Sequence, residues 1–97
     1  MSEKKLAKGN DQAALNRRLK RIEGQVKGIQ KMIEDDRYCV DILVQISAIR
    51  SAIDNVGTII LENHIKGCVS NDLKYGDEEQ SEAAIKELMD TIKKFTK

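Results

Sequence analysis

Apolar residues recur along this chain in three runs, and the first two keep the period of helices packed side by side. Leu15, Leu19, Ile22, Val26, Ile29 and Ile33 follow one another at steps of four, three, four, three and four. Cys39, Ile42, Ile46, Ile49, Ile53, Val56 and Ile60 continue the same rhythm without a slip. Such spacing lays one apolar stripe along each helix. We read a first helix over about 11–34 and a second over about 37–68. "EDDRY" (34–38) interrupts the pattern, with Asp35 or Asp36 placed to cap the second helix. Leu43, Val44, Ile59 and Leu61 widen the second stripe, so that helix must meet more than one neighbour.

"SNDLKYGDEEQ" (70–80) reads as a loop. Asp77 followed three positions later by Gln80 has the form of a capping box, and Glu78 and Glu79 suit a helix N-terminus. A third helix over 78–95 carries Ile85, Leu88, Met89, Ile92 and Phe95. Alternation of the β type is absent at any useful length. The expectation is an all-α chain of three helices, with a flexible tail over 1–10 and a single domain over 11–97.

Composition adds one point. The 97 residues contain no proline or tryptophan, and only Tyr38, Tyr75 and Phe95 are aromatic. A lone copy would have a thin core, so self-association is expected. No apolar run is long enough for a membrane span. The polar start "MSEKKLAKGNDQ" lacks the apolar centre of a signal peptide. A cytoplasmic, reducing setting follows as the default.

Charge changes the picture more. The formal net charge is +1, yet residues 1–31 sum to +6 and residues 32–97 to −5. Arg17, Arg18, Lys20, Arg21, Lys27 and Lys31 crowd the first helix. Either a polyanion meets this segment, or it is a solvated helix face. Gly24 and Gly28 lie off the apolar stripe and each costs roughly 1 kcal/mol of helix propensity against Ala. They admit a DNA backbone or a neighbouring subunit at close range, or are simply tolerated at the surface.

The chemistry-bearing residues are few. Cys39, Cys68 and His64 are the only cysteines and the only histidine, and all fall on the expected second helix. His64 and Cys68, four apart, share a helix face. Cys39 stands 29 residues before Cys68, about 44 Å along an unbroken helix. One chain then cannot bring Cys39 to the other two, nor form a disulfide. Two antiparallel copies can, and twofold symmetry makes two such sites. Two thiolates and an imidazole suit a soft three-coordinate ion such as Cu(I); zinc with an added water or carboxylate is the other fit. The plain alternatives are small buried cysteines and a helix-end histidine. A nucleophile-and-base enzyme is disfavoured, since no oxyanion-hole loop or carboxylate–histidine arrangement is evident.

"RLKRIEGQVKGIQKMIEDDRYCVDILVQISAIRSAI", continuing to "ENHIKGCV", resembles the copper-sensitive operon repressor (CsoR-type) family over residues 15–69, and more loosely beyond. The resemblance implies a disc-shaped tetramer, a dimer of antiparallel four-helix-bundle dimers. It implies a metal-free form that binds operator DNA and represses copper export or buffering genes, and that Cu(I), one per subunit, releases the DNA. The family's Cys, His and Cys ligands fall on Cys39, His64 and Cys68. Its supporting Tyr and Glu fall on Tyr38 and Glu87, where they would hydrogen-bond His64 and couple the site to the fold. A copper chaperone as metal donor belongs to the same picture.

Within the family, persulfide sensors lack this histidine. Nickel and cobalt sensors replace the second cysteine with histidine and add one near the N-terminus, and formaldehyde sensors lack the second cysteine. The pattern here matches the copper branch. For DNA the resemblance points to Arg18, with Arg17, Lys20, Arg21, Lys27, Lys31 and Arg50 as further basic candidates. Lys and Arg supply salt-dependent phosphate binding. The expected switch is linkage: Cu(I) prefers the form that binds DNA poorly, helped by a kink in the second helix near the ligands. A persulfide-sensing repressor bridging Cys39 to Cys68 of a partner, and a copper-buffering helical protein without a DNA role, are the alternatives.

Overall fold

The computed structural model describes residues 5–96. It contains helices α1 (Gln12–Glu34), α2 (Cys39–His64), α3 (Ser70–Tyr75) and α4 (Glu78–Phe95), with a π-helical turn over Ile65–Val69. No strand occurs among the described residues. Because α2, the π turn and α3 follow without a break, the described residues form three helical rods, in line with the all-α expectation.

The ends of these rods are set by local chemistry. Asp11 caps α1, its Oδ1 accepting from the Ala14 amide at 3.1 Å. At the other end the Arg37 amide donates to the Met32 carbonyl at 2.9 Å and the Asp36 amide to the Ile33 carbonyl at 3.2 Å. This paired arrangement is a Schellman motif, and Asp36 takes the left-handed conformation it requires, with φ 52°. Asp35 and Asp36 therefore close α1 rather than capping the second helix. The free carbonyls at a helix end need donors, and Asp tolerates the left-handed region better than most residues.

The segment expected as a loop over 70–80 also differs. Ser70–Tyr75 is helical, and only Gly76 and Asp77 separate α3 from α4. Ser70, Asn71 and Asp72 are weak helix formers, but each costs only some tenths of a kcal/mol, roughly 0.5, in a helix already running. The stop is Gly76: a Cβ there would lie 2.5 Å from the Asp72 carbonyl oxygen and 3.0 Å from Gln80 Cβ. The capping box that follows is present in full. The Gln80 amide donates to Asp77 Oδ1 at 2.8 Å, and the Asp77 amide to Gln80 Oε1 at 3.1 Å.

Internal contacts divide the chain into two units, residues 11–58 and residues up to 10 together with 59 onward. The first holds α1 and most of α2, joined by four residues, a connection of the length that αα-hairpins use. Leu15, Ile22 and Val56 are its buried apolar side chains. In the second, the π turn, α3 and α4 pack on one another, and Ala7 and Val69 are buried. Each unit leaves many large apolar side chains in the open: Leu43, Val44, Ile46 and Ile53 in the first, Leu73 and Met89 in the second. Contiguous apolar surface of this kind calls for cover.

The expected flexible tail falls partly on residues 1–4, which lie outside the described residues. Residues 5–10 are fastened within their unit. Ala7 is buried, and Asn63 Nδ2 donates to Asn10 Oδ1 at 2.9 Å.

Candidate metal centre

Cys39 is the first residue of α2 and His64 the last. Within one unbroken α-helix, 25 residues of rise separate them by about 38 Å. Cys39 is exposed, and Tyr38 before it is 66% exposed. His64 and Cys68 are half-buried. Among the described residues, no three His, Cys, Asp or Glu side chains are gathered as a metal site within the chain.

Rotation along α2 is as informative as distance. At 100° per residue, Cys39, Ile46, Ile53 and His64 fall within about 40° of one another on the helix circumference. Cys39 and His64, at the two ends, thus share one line of the helix. The apolar residues between them, Ile46 and Ile53, are 40% and 43% exposed.

Between His64 and Cys68 the backbone leaves α geometry for the π turn. Such turns widen a helix locally and occur often at functional sites. The sequence reading expected a plain helix here and placed a kink only in its switching mechanism. Gly67, the weakest helix former between His64 and Cys68, was the available signal. A Cβ at Gly67 would meet Ala7 Cβ at 3.6 Å, an ordinary contact, so the N-terminal segment closes over this turn.

His64 and Glu87 line one cleft of ≈ 260 Å³, together with Leu6, Ala7, Leu61 and Thr91. The two residues assigned to each other from the sequence therefore border the same space. The N-terminal segment that completes this wall was not foreseen. Its signals are small ones, Ala7 and Gly9, which permit close approach.

The basic candidates are all exposed. Arg17, Lys20, Arg21, Lys27 and Lys31 fall within about 60° of the line opposite Leu15 and Ile33, whereas Arg18 sits beside the apolar stripe. Lys31 Nζ pairs with Asp35 Oδ2 at 3.5 Å, a solvent-exposed contact of small energetic weight. Arg50 is exposed on α2 and borders the Ile46–Ile53 line.

A family model described as metal-sensitive transcriptional repressor matches residues 11–94. The chain belongs to this family. It is 58% identical over 93 residues to the copper-sensing transcriptional repressor CsoR of Bacillus subtilis (strain 168), covering 96% of this chain and 87% of that protein. The crystal structure of the copper-sensing repressor CsoR with Cu(I) from Geobacillus thermodenitrificans NG80-2 matches with TM-score 0.81 and 48% identity, over 100% of this chain and 95% of the other. The nickel-responsive transcriptional regulator InrS matches with TM-score 0.74 and 35% identity, over 84% and 92%. Since the fold serves proteins named for different metals, the donor atoms must distinguish among metal-sensitive repressors. No described helix is long and apolar enough to cross a membrane.

Proposed function

We propose that this chain is a Cu(I)-responsive transcriptional repressor whose metal site is shared between two copies. The observation that carries the reading is α2: its thiol and imidazole ligands stand at opposite ends of one helix, on one face, joined by uncovered isoleucines. Antiparallel pairing covers Ile46 and Ile53 and sets Cys39 of one copy beside His64 and Cys68 of the other. The residue midway between Cys39 and the His64–Cys68 pair is Ala52 or Ile53, so the twofold axis passes there. Two such dimers assemble into the disc-shaped tetramer.

The donor set fits the ion. Two sulfurs and one nitrogen satisfy a soft d¹⁰ cation that accepts three ligands, while a structural zinc site would want a fourth. Bound, Cu(I) supplies a cross-link between one copy's α2 start and the other's α2 end. The chain's own residues do the rest. Glu87, bordering the cleft of His64, orients the imidazole, and Tyr38 adjoins Cys39. The exposed thiol of Cys39 is the first that a copper-donating chaperone would meet.

Operator DNA is the second ligand, bound by the metal-free form. The outward face of α1, with Arg17, Lys20, Arg21, Lys27 and Lys31, supplies phosphate contacts; Arg18 and Arg50 flank it. Binding of Cu(I) and of DNA oppose one another, so each weakens the other by the same factor. The protein acts as a regulator in the cytoplasm, not as an enzyme.

Subunit complementation tests the shared site. Cys39→Ser and Cys68→Ser proteins, each alone, lose tight Cu(I) binding. Mixed and re-assembled, they form heterodimers in which one site has all three ligands, and about half of the heterodimer sites recover. Mixtures that recover no binding would place the ligands within one chain and overturn the reading.

A further inference from the structure

We infer that the Asn10–Asn63 side-chain pair is a latch that couples the metal-ligand end of α2 to the start of the DNA-binding helix. The inference rests on the function proposed above and names how its two sites communicate.

Asn63 immediately precedes His64, and Asn10 immediately precedes Asp11, the N-cap of α1. Asn63 Nδ2 donates to Asn10 Oδ1 at 2.9 Å, in partly buried surroundings and across 53 positions of sequence. The side-chain hydrogen bonds of Asp11, Asp77, Gln80, Ser81 and Thr96, by contrast, span nine positions or fewer. Asn10 is itself held rigidly. Its amide nitrogen donates to the Ala7 carbonyl at 3.1 Å, and its side-chain Nδ2 to the same oxygen at 3.3 Å. Ala7 is in turn buried against the π turn at Gly67, between His64 and Cys68.

The fit around Asn63 is tight. A Cβ at Gly9 would come within 3.0 Å of Asn63 Oδ1 and 3.3 Å of its Cγ. Residue 9 therefore lies flat against the Asn63 amide, leaving it little freedom to turn. A displacement of the helix at 63–68 must carry Asn10 with it or break the bond. Asn10 is one peptide bond from the carboxylate that caps α1, which holds the Ala14 amide at 3.1 Å. The amide hydrogen bond of Leu15 to the Asp11 carbonyl, 3.0 Å, follows directly. A change at the ligands thus has a short mechanical path to the first turn of the helix that bears Arg17 and Arg18. Neither asparagine is a metal ligand or a phosphate contact, so their role is positioning.

The test uses the full chain with Asn10→Ala, Asn63→Ala and the double variant. The first arm needs no metal. Amide hydrogen exchange of the metal-free protein should accelerate about tenfold at residues 5–10 and at Ala14 and Leu15 in every variant, with the double no faster than either single. Parent-like protection at Ala14 and Leu15 in both single variants overturns the latch, whatever the metal does. The second arm measures operator affinity with and without Cu(I) by fluorescence anisotropy. The latch predicts that Asn63→Ala binds Cu(I) and metal-free operator within about threefold of the parent, while the Cu(I)-induced loss of operator affinity shrinks at least tenfold. An undiminished loss overturns it. If Cu(I) leaves the parent's own operator affinity unchanged, the proposed function fails, and the exchange arm still decides the latch. Gly9→Ala, which crowds Asn63 and leaves both asparagines in place, should reproduce the exchange phenotype in milder form.

Discussion

Replacing Ile53 with Asp perturbs the pairing of two copies at the point where the account places the twofold axis. Ile53 is 43% exposed in the single chain. Full burial of such a side chain is worth about 1.5–3 kcal/mol, so covering the exposed part on both copies contributes about 1–2.5 kcal/mol to the dimer. The replacement removes that term and sets two carboxylates facing each other. At about 6 Å and an effective dielectric constant of about 20, their repulsion adds roughly 3 kcal/mol. The sum, about 4–5 kcal/mol, weakens the dimer on the order of a thousandfold. Sedimentation velocity from micromolar to millimolar protein reads the change directly, with circular dichroism at each concentration to follow helix content. Ser51→Asp, exposed and about 160° away around α2, is the control and should assemble like the parent. If Ile53→Asp assembles as tightly as the parent, the antiparallel α2 pairing is wrong and the shared site with it.

Three other outcomes are expected. Asp36→Gly should raise stability by about 0.5–1 kcal/mol in chemical denaturation, because glycine takes the left-handed conformation without strain and an acidic residue leaves the negative end of α1; lower stability would contradict the assigned cap. Gly76→Ala should destabilise by about 1–3 kcal/mol, since the added Cβ meets the Asp72 backbone oxygen at 2.5 Å, and a loss under half a kcal/mol (roughly 0.5) would show the α3–α4 turn yields easily. Arg18→Ala should weaken metal-free operator binding and lower the salt-dependence slope by about one, as loss of one phosphate contact does; an unchanged slope removes Arg18 from the interface.

Much of the fold was legible because helix periodicity is a strong signal when nothing competes with it. The stripes through Leu15–Ile33 and Cys39–Ile60 marked α1 and α2, and Asp77 with Gln80 marked the start of α4. The junctions were harder. Asp35 and Asp36 carry side chains that serve either helix end, and only the backbone φ of Asp36 separates the two roles. Ser70–Asp72 look like a turn, yet helical propensity is a weak prior once a long helix is already running into them. A candidate ligand set was readable, because the chain offers only two cysteines and one histidine to choose from. What surrounds these residues was far less so. The π turn had only Gly67 as a local sign, and the fastening of residues 5–10 and the Asn10–Asn63 bond join distant parts of the chain, for which Ala7 and Gly9 are faint signs.

The central claim is that copper and operator compete through one assembled protein. Anaerobic titration of Cu(I) into the preformed protein–operator complex, followed by anisotropy of labelled DNA, tests it most directly. The account predicts that DNA is released as Cu(I) reaches one equivalent per subunit, and that Zn(II) at the same level releases far less. Operator that stays bound past saturation of Cys39, His64 and Cys68 with Cu(I) would contradict it.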